Sequence, residues 1–277
     1  MKTLSLVVPC RNEFRRLLPG VFLEATARWP WLSFCFVDDG STDATAERLA
    51  WLSNASPSMY AIYLHDNLGK AEAVRTGIRH LCELSRADLV GFWDADLATP
   101  LDEIPRFVQC FESDTRLKAV IGSRWPHLGS EIRRSAKRGV AGLVVKALIR
   151  RILKAPVWDT QCGAKVFDRE TAAEIFADPF QTQWLFDVEL LARLGCDRLR
   201  AQTLELPVSS WRDVPGSNIG VWTSFAILRE LALVSKVAIQ SRRETAPDRD
   251  QDALSHLAGH RLQPGAPRGL VHPRQPS

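Results

Sequence analysis

The sequence predicts an α/β fold with a mixed, mostly parallel sheet flanked by helices, and three observations carry that reading. Four short apolar runs are each followed by a segment of helical periodicity, the pattern of a parallel sheet covered on both faces. Each run ends in a polar cluster, as buried strands do where they reach a ligand-binding edge. The chain has 277 residues, 45% hydrophobic and 25% charged, enough for one large domain or two small ones with a real core. This composition excludes a collagen-like chain, a wholly disordered one and a multi-span membrane protein.

The elements follow in order. Thr3 to Val8 is a β-branched and leucine run stopped by Pro9, and Glu13 to Ala27 has helical spacing. Leu32 to Val37 is a second strand, halted by Asp38-Asp39-Gly40-Ser41-Thr42-Asp43. Thr42 or Asp43 suits the cap of a helix over Ala44 to Leu52. Met59 to Leu64 and Lys70 to Leu84 form the third pair, and Leu89 to Trp93 runs straight into Asp94-Ala95-Asp96. Right-handed crossovers then bring the loops after the strands to one edge. That edge collects Asn12-Glu13, Asp38-Asp39, Asn67 to Lys70, and Asp94 with Asp96.

The second half is less regular. Strands are expected at Lys118 to Ile121, Ala164 to Phe167 and Thr203 to Val208. Helices are expected at Arg169 to Phe176, Phe186 to Leu194 and Val221 to Ile239. From Ser241 onward the chain is rich in Pro, Arg, Gln and Gly without hydrophobic periodicity. It cannot bury enough apolar surface to offset ordering entropy, so 241–277 reads as a disordered tail. The six cysteines form no Cys-x-x-Cys pair and are read as reduced, mostly buried thiols. No stretch approaches the ~20 apolar residues of a spanning helix, and the first apolar run stops too early for a signal peptide. A cytoplasmic location is the default.

Charge is uneven. The total is +4, yet between Arg124 and Lys154 nine basic residues (124, 133, 134, 137, 138, 146, 150, 151, 154) face one acid, Glu131. That segment is +8 and the remainder −4. On a helical wheel Arg138, Lys146, Arg150 and Lys154 share one face, with Val140, Val144, Ala147, Leu148 and Ile152 on the other. A basic amphipathic helix of this kind suits peripheral contact with an anionic membrane surface, and equally a core-packing helix with a solvated back. Nucleic acid fits poorly beside an acid-lined ligand edge and an acidic remainder.

Asp94-Ala95-Asp96 is the sharpest local feature. Alternating acids at the end of a buried strand can turn a carboxylate toward a hard divalent ion that completes its shell with water and substrate phosphate. An Asp-x-Asp cluster also arises as an ordinary loop cap. Joined to Val7-Val8-Pro9-Cys10-Arg11-Asn12-Glu13, Val37-Asp38-Asp39-Gly40-Ser41-Thr42-Asp43 and Asn67-Leu68-Gly69-Lys70, it resembles the family 2 glycosyltransferases of the GT-A, Rossmann-like fold. Within that family the chain looks most like the dolichyl-phosphate or polyprenyl-phosphate glucosyltransferases and mannosyltransferases. Gly122-Ser123-Arg124, Asp159-Thr160-Gln161-Cys162-Gly163-Ala164-Lys165, Trp184 to Leu191, Pro207 to Trp211 and Gly216-Ser217 add to the match. The family pattern usually continues with Lys where Asn218 stands here.

The resemblance implies an inverting hexosyltransferase that moves glucose or mannose from a UDP- or GDP-sugar to polyprenyl phosphate. It implies a domain over 1–240, with a donor-binding half (1–122) and an acceptor-binding half (123–240). Pro9, Asn12, Glu13, Asp39 and Lys70 would line the nucleotide pocket. Asp94 and Asp96 would act with Mg²⁺ or Mn²⁺ on the donor diphosphate. Arg124, with Arg134 or Arg138, would hold the acceptor phosphate by charge-assisted hydrogen bonds. Asp187 would be a general base toward a hydroxyl acceptor, or an orienting group toward a phosphate, which needs no base; Glu189 is the weaker candidate. Trp158, Trp184 and Trp211 stand beside these motifs as stacking surfaces or as core. Alternatives are an inverting transferase with a soluble hydroxyl or phosphorylated acceptor, a silent binding or scaffold member, and a sugar nucleotidyltransferase. The last lacks a Gly-rich activating loop here. The oligomeric state is not legible in the sequence.

Overall fold

A computed structural model of the chain describes residues 1–133, 140–212 and 223–245. Its elements are β1 (Leu4–Cys10), α1 (Pro19–Arg28), β2 (Leu32–Asp39), α2 (Thr45–Ala55), β3 (Met59–Leu64), α3 (Lys70–Leu84) and β4 (Leu89–Trp93). After a 3-10 turn (Leu101–Glu103) come α4 (Ile104–Ser113), β5 (Ala119–Ser123), β6 (Glu131–Arg133), α5 (Val140–Leu153) and β7 (Ala164–Asp168). The last elements are α6 (Arg169–Ile175), α7 (Phe186–Leu194), α8 (Cys196–Ala201), β8 (Thr203–Pro207), β9 (Ser210–Arg212) and α9 (Thr223–Thr245).

Seven strands form one sheet in the order β3-β2-β1-β4-β7-β5-β8. All neighbouring pairs are parallel except the two made by β7, which runs antiparallel to β4 and to β5. This is the mixed, mostly parallel sheet expected, and the reversed strand sits near its middle. Side chains alternate between two cores. Leu6 and Val8 join Phe34, Phe36 and the buried faces of α1, α2 and α4, whereas Val7 joins Cys35, Val37 and the helices α3, α6, α7 and α9. The period of two along β1 and β2 therefore feeds both layers.

Glycine decides how closely the reversed strand approaches. Gly91 of β4 pairs with Val166 of β7, and a Cβ at Gly91 would stand 2.2 Å from the Lys165 carbonyl oxygen. No side chain can relieve a clash with backbone, so only glycine lets β4 carry β7 at this register.

Three expectations change. The first helix begins at Pro19, not Glu13. Residues 13–18 form a turn instead, closed by Leu17 N–H on the Glu13 carbonyl at 2.7 Å, and Pro19 is suited to a helix's first turn but not to its interior. Among the described side chains of α5, Ile149 and Leu153 are buried and Val145 and Ile152 partly so; those of Val140, Val144 and Lys146 lie outside the described residues. Ala147 and Leu148, expected on the packed face, are exposed, because apolar side chains cover most of the helix circumference and packing chose another sector. Finally α9 continues to Thr245, past the expected boundary at 240. Residues 246–277 lie outside the described residues, as do Arg134, Arg138, Gly216, Ser217 and Asn218. Among the described residues no helix is long and apolar enough to cross a membrane.

Gly91→Ala should destabilise the fold by ~1–3 kcal/mol, read as a lower urea midpoint. An unchanged midpoint would mean that β4 and β7 separate without cost.

Candidate active site

The site forms where β1, β2 and β4 end and the loop before β7 folds across them. Asp94 leaves β4 with its N–H on the Gly163 carbonyl at 2.9 Å. Its carboxylate lies directly on Gly163, where a Cβ would stand 1.8 Å from Oδ2. The glycine in Asp159-Thr160-Gln161-Cys162-Gly163 is thus the seat of the Asp94 side chain. From the other side Lys70, the first residue of α3, places its ammonium 2.5 Å from Asp94 Oδ1. Burial disfavours the Lys70 charge, but the carboxylates of Asp94, Asp187 and Asp96 outweigh it and raise its pKa.

Asp96 accepts the Ala98 N–H at 3.0 Å. Burial, then repulsion from Asp94, raises its pKa, with partial relief from Ala98 and Lys70. Glu13 behaves alike. Burial raises its pKa, Arg16 partly offsets this, and Asp96 and Asp94 add to it. Its Oε2 is buried without a hydrogen-bond partner. Three acids therefore meet two cations, Lys70 at Asp94 and Arg16 at Glu13. A divalent cation with a diphosphate is the ligand that such a donor set fits, since two carboxylates leave the other positions of a hard ion to phosphate and water. Among the described residues no group of three or more His, Cys, Asp or Glu could hold a metal ion.

Asn12 and Asp39 shape the edge through the backbone. Asn12 adopts φ 52° and accepts the Thr42 N–H at 2.8 Å, joining the loops after β1 and β2. Asp39, buried, spends both oxygens on the N–H groups of Leu68 and Gly69, at 2.7 and 2.9 Å. It thereby sets the loop that delivers Lys70. Pro9 lies within β1, paired with Val37. Asp43 does not cap α2 as an ordinary N-cap, since Ala44 occupies that place. Its carboxylate instead bonds Thr45 N at 3.0 Å and Phe14 N at 3.3 Å.

A second ionic pair lies behind the first. Lys165 on β7 is 0% exposed and donates to Asp187 Oδ1 and to the Cys162 carbonyl, each at 2.6 Å. The Phe92 ring lies under both lysines, at 6.0 Å from Lys70 and 5.3 Å from Lys165. Asp187 is thus brought to the Asp94 group. Lys165 was not singled out from the sequence, although a lone charge inside the apolar run Ala-Lys-Val-Phe was the available signal. Glu189 is elsewhere: fully buried, it accepts from Gln181 and Thr182 and pairs with Arg193 at 2.7 Å. Glu230 of α9 similarly receives the N–H groups of Gln183, Trp184 and Leu185. These two acids build the turn ahead of α7.

Arg124 closes the far side. Its Nε and Nη2 form a fork on the Asp159 carboxylate, at 2.6 and 2.7 Å, and its backbone N–H adds a third bond at 2.9 Å. The guanidinium also lies 5.2 Å from the centre of the Trp211 ring. Burial opposes ionisation of Asp159, but the Arg124 bonds and charge hold its pKa at about 2. Glu205 of β8 receives the N–H groups of Trp158 and Asp159, at 2.8 and 2.7 Å. Trp158 and Trp184 are half exposed and Trp211 is buried.

Residues 5–176 match the profile described as "Glycosyl transferase family 2". The chain belongs to that family. It is 32% identical to a dolichyl-phosphate beta-glucosyltransferase of Trichomonas vaginalis over 78% of this chain and 66% of that one. The corresponding enzyme of Dictyostelium discoideum is 32% identical over 80% and 70%, and the human one 30% over 84% and 75%. The chain spans about two thirds of the length of the first of these relatives. Its fold matches glucosyl-3-phosphoglycerate synthase of Mycobacterium tuberculosis, solved with uridine diphosphate, with a TM-score of 0.60 at 19% identity over 84% of this chain and 79% of that one. The GT-A fold read from the motifs is the fold observed.

Asp159 has an ordinary carboxylate pKa of 3.8 when unfolded and about 2 when folded. The stability it confers is therefore complete above about pH 4 and is lost as pH falls toward 2. Arg124→Met should cost ~3–5 kcal/mol at neutral pH by taking the guanidinium fork from a buried carboxylate. It should also flatten the acid limb of a urea-midpoint profile, and an unchanged limb would refute the assignment.

Proposed function

We propose that the protein transfers glucose, with inversion, from a nucleoside-diphosphate sugar to polyprenyl or dolichyl phosphate. The observation that carries this is the meeting of Asp94, Asp96 and Lys70 with the Lys165–Asp187 pair at one sheet edge, in a chain whose curated relatives are named dolichyl-phosphate beta-glucosyltransferases. Residues 1–122 would bind the donor and 123–240 the acceptor. The lipid acceptor places the work at a membrane surface, reached peripherally.

Asp94 and Asp96 would hold Mg²⁺ or Mn²⁺ against the donor diphosphate; the structural neighbours solved with Mn²⁺ support this choice. Such an ion supplies neutralisation of the negative charge that grows on the leaving diphosphate. The chain's own residues do the rest. Lys70 adds positive charge at the same place and keeps Asp94 turned toward it. The loop set by Asn12, Glu13 and Asp39 receives the nucleoside. An acceptor phosphate oxygen attacks the anomeric carbon from the face opposite the diphosphate, whose carbon–oxygen bond breaks with its electron pair. That oxygen is already ionised, so no group must take a proton from it. Asp187, with one oxygen fixed by Lys165, then orients donor sugar hydroxyls. Arg124, braced by Asp159, and Arg134 or Arg138 beyond it would receive the acceptor phosphate; the +8 segment supports this.

Asp96→Asn should lower transfer to polyprenyl phosphate by ~10²–10³-fold, measured with purified acceptor and a panel of UDP- and GDP-sugars. Full activity in that variant would overturn the reading. Asp187→Asn should lose far less with a phosphate acceptor than a general base would, and near-total loss would favour a hydroxyl acceptor. Because Glu13 and Asp96 hold protons above the usual carboxylate range, Mn²⁺ binding should release protons and tighten as pH rises through that range. Titration calorimetry in buffers of different ionisation enthalpy reads the proton count, and no release would contradict the ligand set.

A further inference from the structure

We propose that the C-terminal end of α5, with α8 and the Trp125–Trp158 pair, is the face that docks this protein on an anionic lipid bilayer. The proposal rests on a lipid acceptor for its purpose and on separate residues for its evidence. Arg150, Arg151, Lys154 and Arg200 line one shallow hollow together with Ala155 and Pro156, and no acid lines it. Arg200 serves the helix end, donating from Nε and Nη2 to the Lys154 carbonyl at 2.9 and 2.5 Å. Arg150 lies 3.8 Å from the centre of the Trp158 ring. Arg151 and Lys154 point their charges outward, and among the described residues no ion pair involves Arg150, Arg151 or Lys154. Four cations around one hollow repel each other unless an anionic surface faces them.

The apolar half of the face adjoins the charged half. Trp125 and Trp158 are 51% and 50% exposed, with ring centres 4.7 Å apart. Leu148, one turn before Arg151 on α5, is 38% exposed. Exposed indoles beside arginine and lysine match the headgroup layer, where an apolar body and a polar or charged end are both satisfied. A bilayer fits this combination better than a free anion, which would use the cations and leave the indoles in water. The face also joins the site covalently. The loop that begins at Trp158 braces Arg124 through Asp159 and seats Asp94 on Gly163 five residues later. A lipid phosphate at the headgroup level would therefore lie on the side of the molecule where that loop leads inward.

The test is co-sedimentation of the full chain with phosphatidylcholine vesicles, with and without phosphatidylglycerol. The wild-type protein should bind only the anionic vesicles, and less at high salt. R150Q/R151Q/K154Q should bind them about a hundredfold more weakly, at ~1 kcal/mol per charge near such a surface. W125S should weaken binding without changing its salt dependence. Equal binding to neutral vesicles, unchanged binding by the triple variant, or retention on heparin with no vesicle binding would each overturn the proposal. Transfer to a short-chain polyprenyl phosphate in detergent separates this from the reaction itself. The triple variant should keep that activity, and vesicle binding by a protein that fails the transfer would refute the acceptor while leaving the docking face standing.

Discussion

Asp94 hangs on the strand that runs against the rest. Its N–H is held by the Gly163 carbonyl and its carboxylate rests on the Gly163 Cα, so the position of the acid depends on where β7 begins. That start is set by the antiparallel pairing of β7 with β4, Trp93 opposite Ala164 and Phe92 opposite Lys165. The same register that seats Asp94 buries the Lys165 ammonium against the Phe92 ring and delivers it to Asp187. One strand pairing thus places both halves of the candidate site, and Gly91 is the residue that lets the strands come close enough.

The electrostatics follow from that placement. Four acids converge, and an uncompensated cluster of this kind would be costly to bury. Lys70 and Lys165, both near the Phe92 ring, and Arg16 compensate it, while burial first and the neighbouring carboxylates second raise the pKa values of Glu13 and Asp96. Further out, carboxylates serve as braces. Asp39, Glu189, Glu205 and Glu230 each accept backbone N–H groups from a loop that borders the site. The N–H groups of these loops thus find side-chain acceptors in place of strand or helix partners.

Arg124 makes a contact that its motif does not announce. Its charge and position suggested a phosphate ligand. The fork it makes on Asp159 shows a guanidinium whose orientation is fixed by a buried acid. An arginine fixed in this way presents its charge without losing side-chain entropy on binding.

By itself the sequence determined the strand-helix alternation, the helices Phe186 to Leu194 and Lys70 to Leu84, and the edge on which Asn12, Asp39, Lys70, Asp94 and Asp96 gather. These rest on local periodicity and on the handedness of crossovers, and both are written in near neighbours along the chain. The start of α1 was missed because periodicity ran on through residues 13–18, while Pro19 and a turn decided the boundary. The packed face of α5 differs from the expected one at Ala147 and Leu148 because the apolar sector is wider than the part that finds a partner. The direction of β7, the burial of Lys165 and the choice of Gly163 as a seat for Asp94 belong to the tertiary structure alone. Each depends on contacts between residues about seventy positions apart, where no local pattern specifies which backbone will meet which carboxylate.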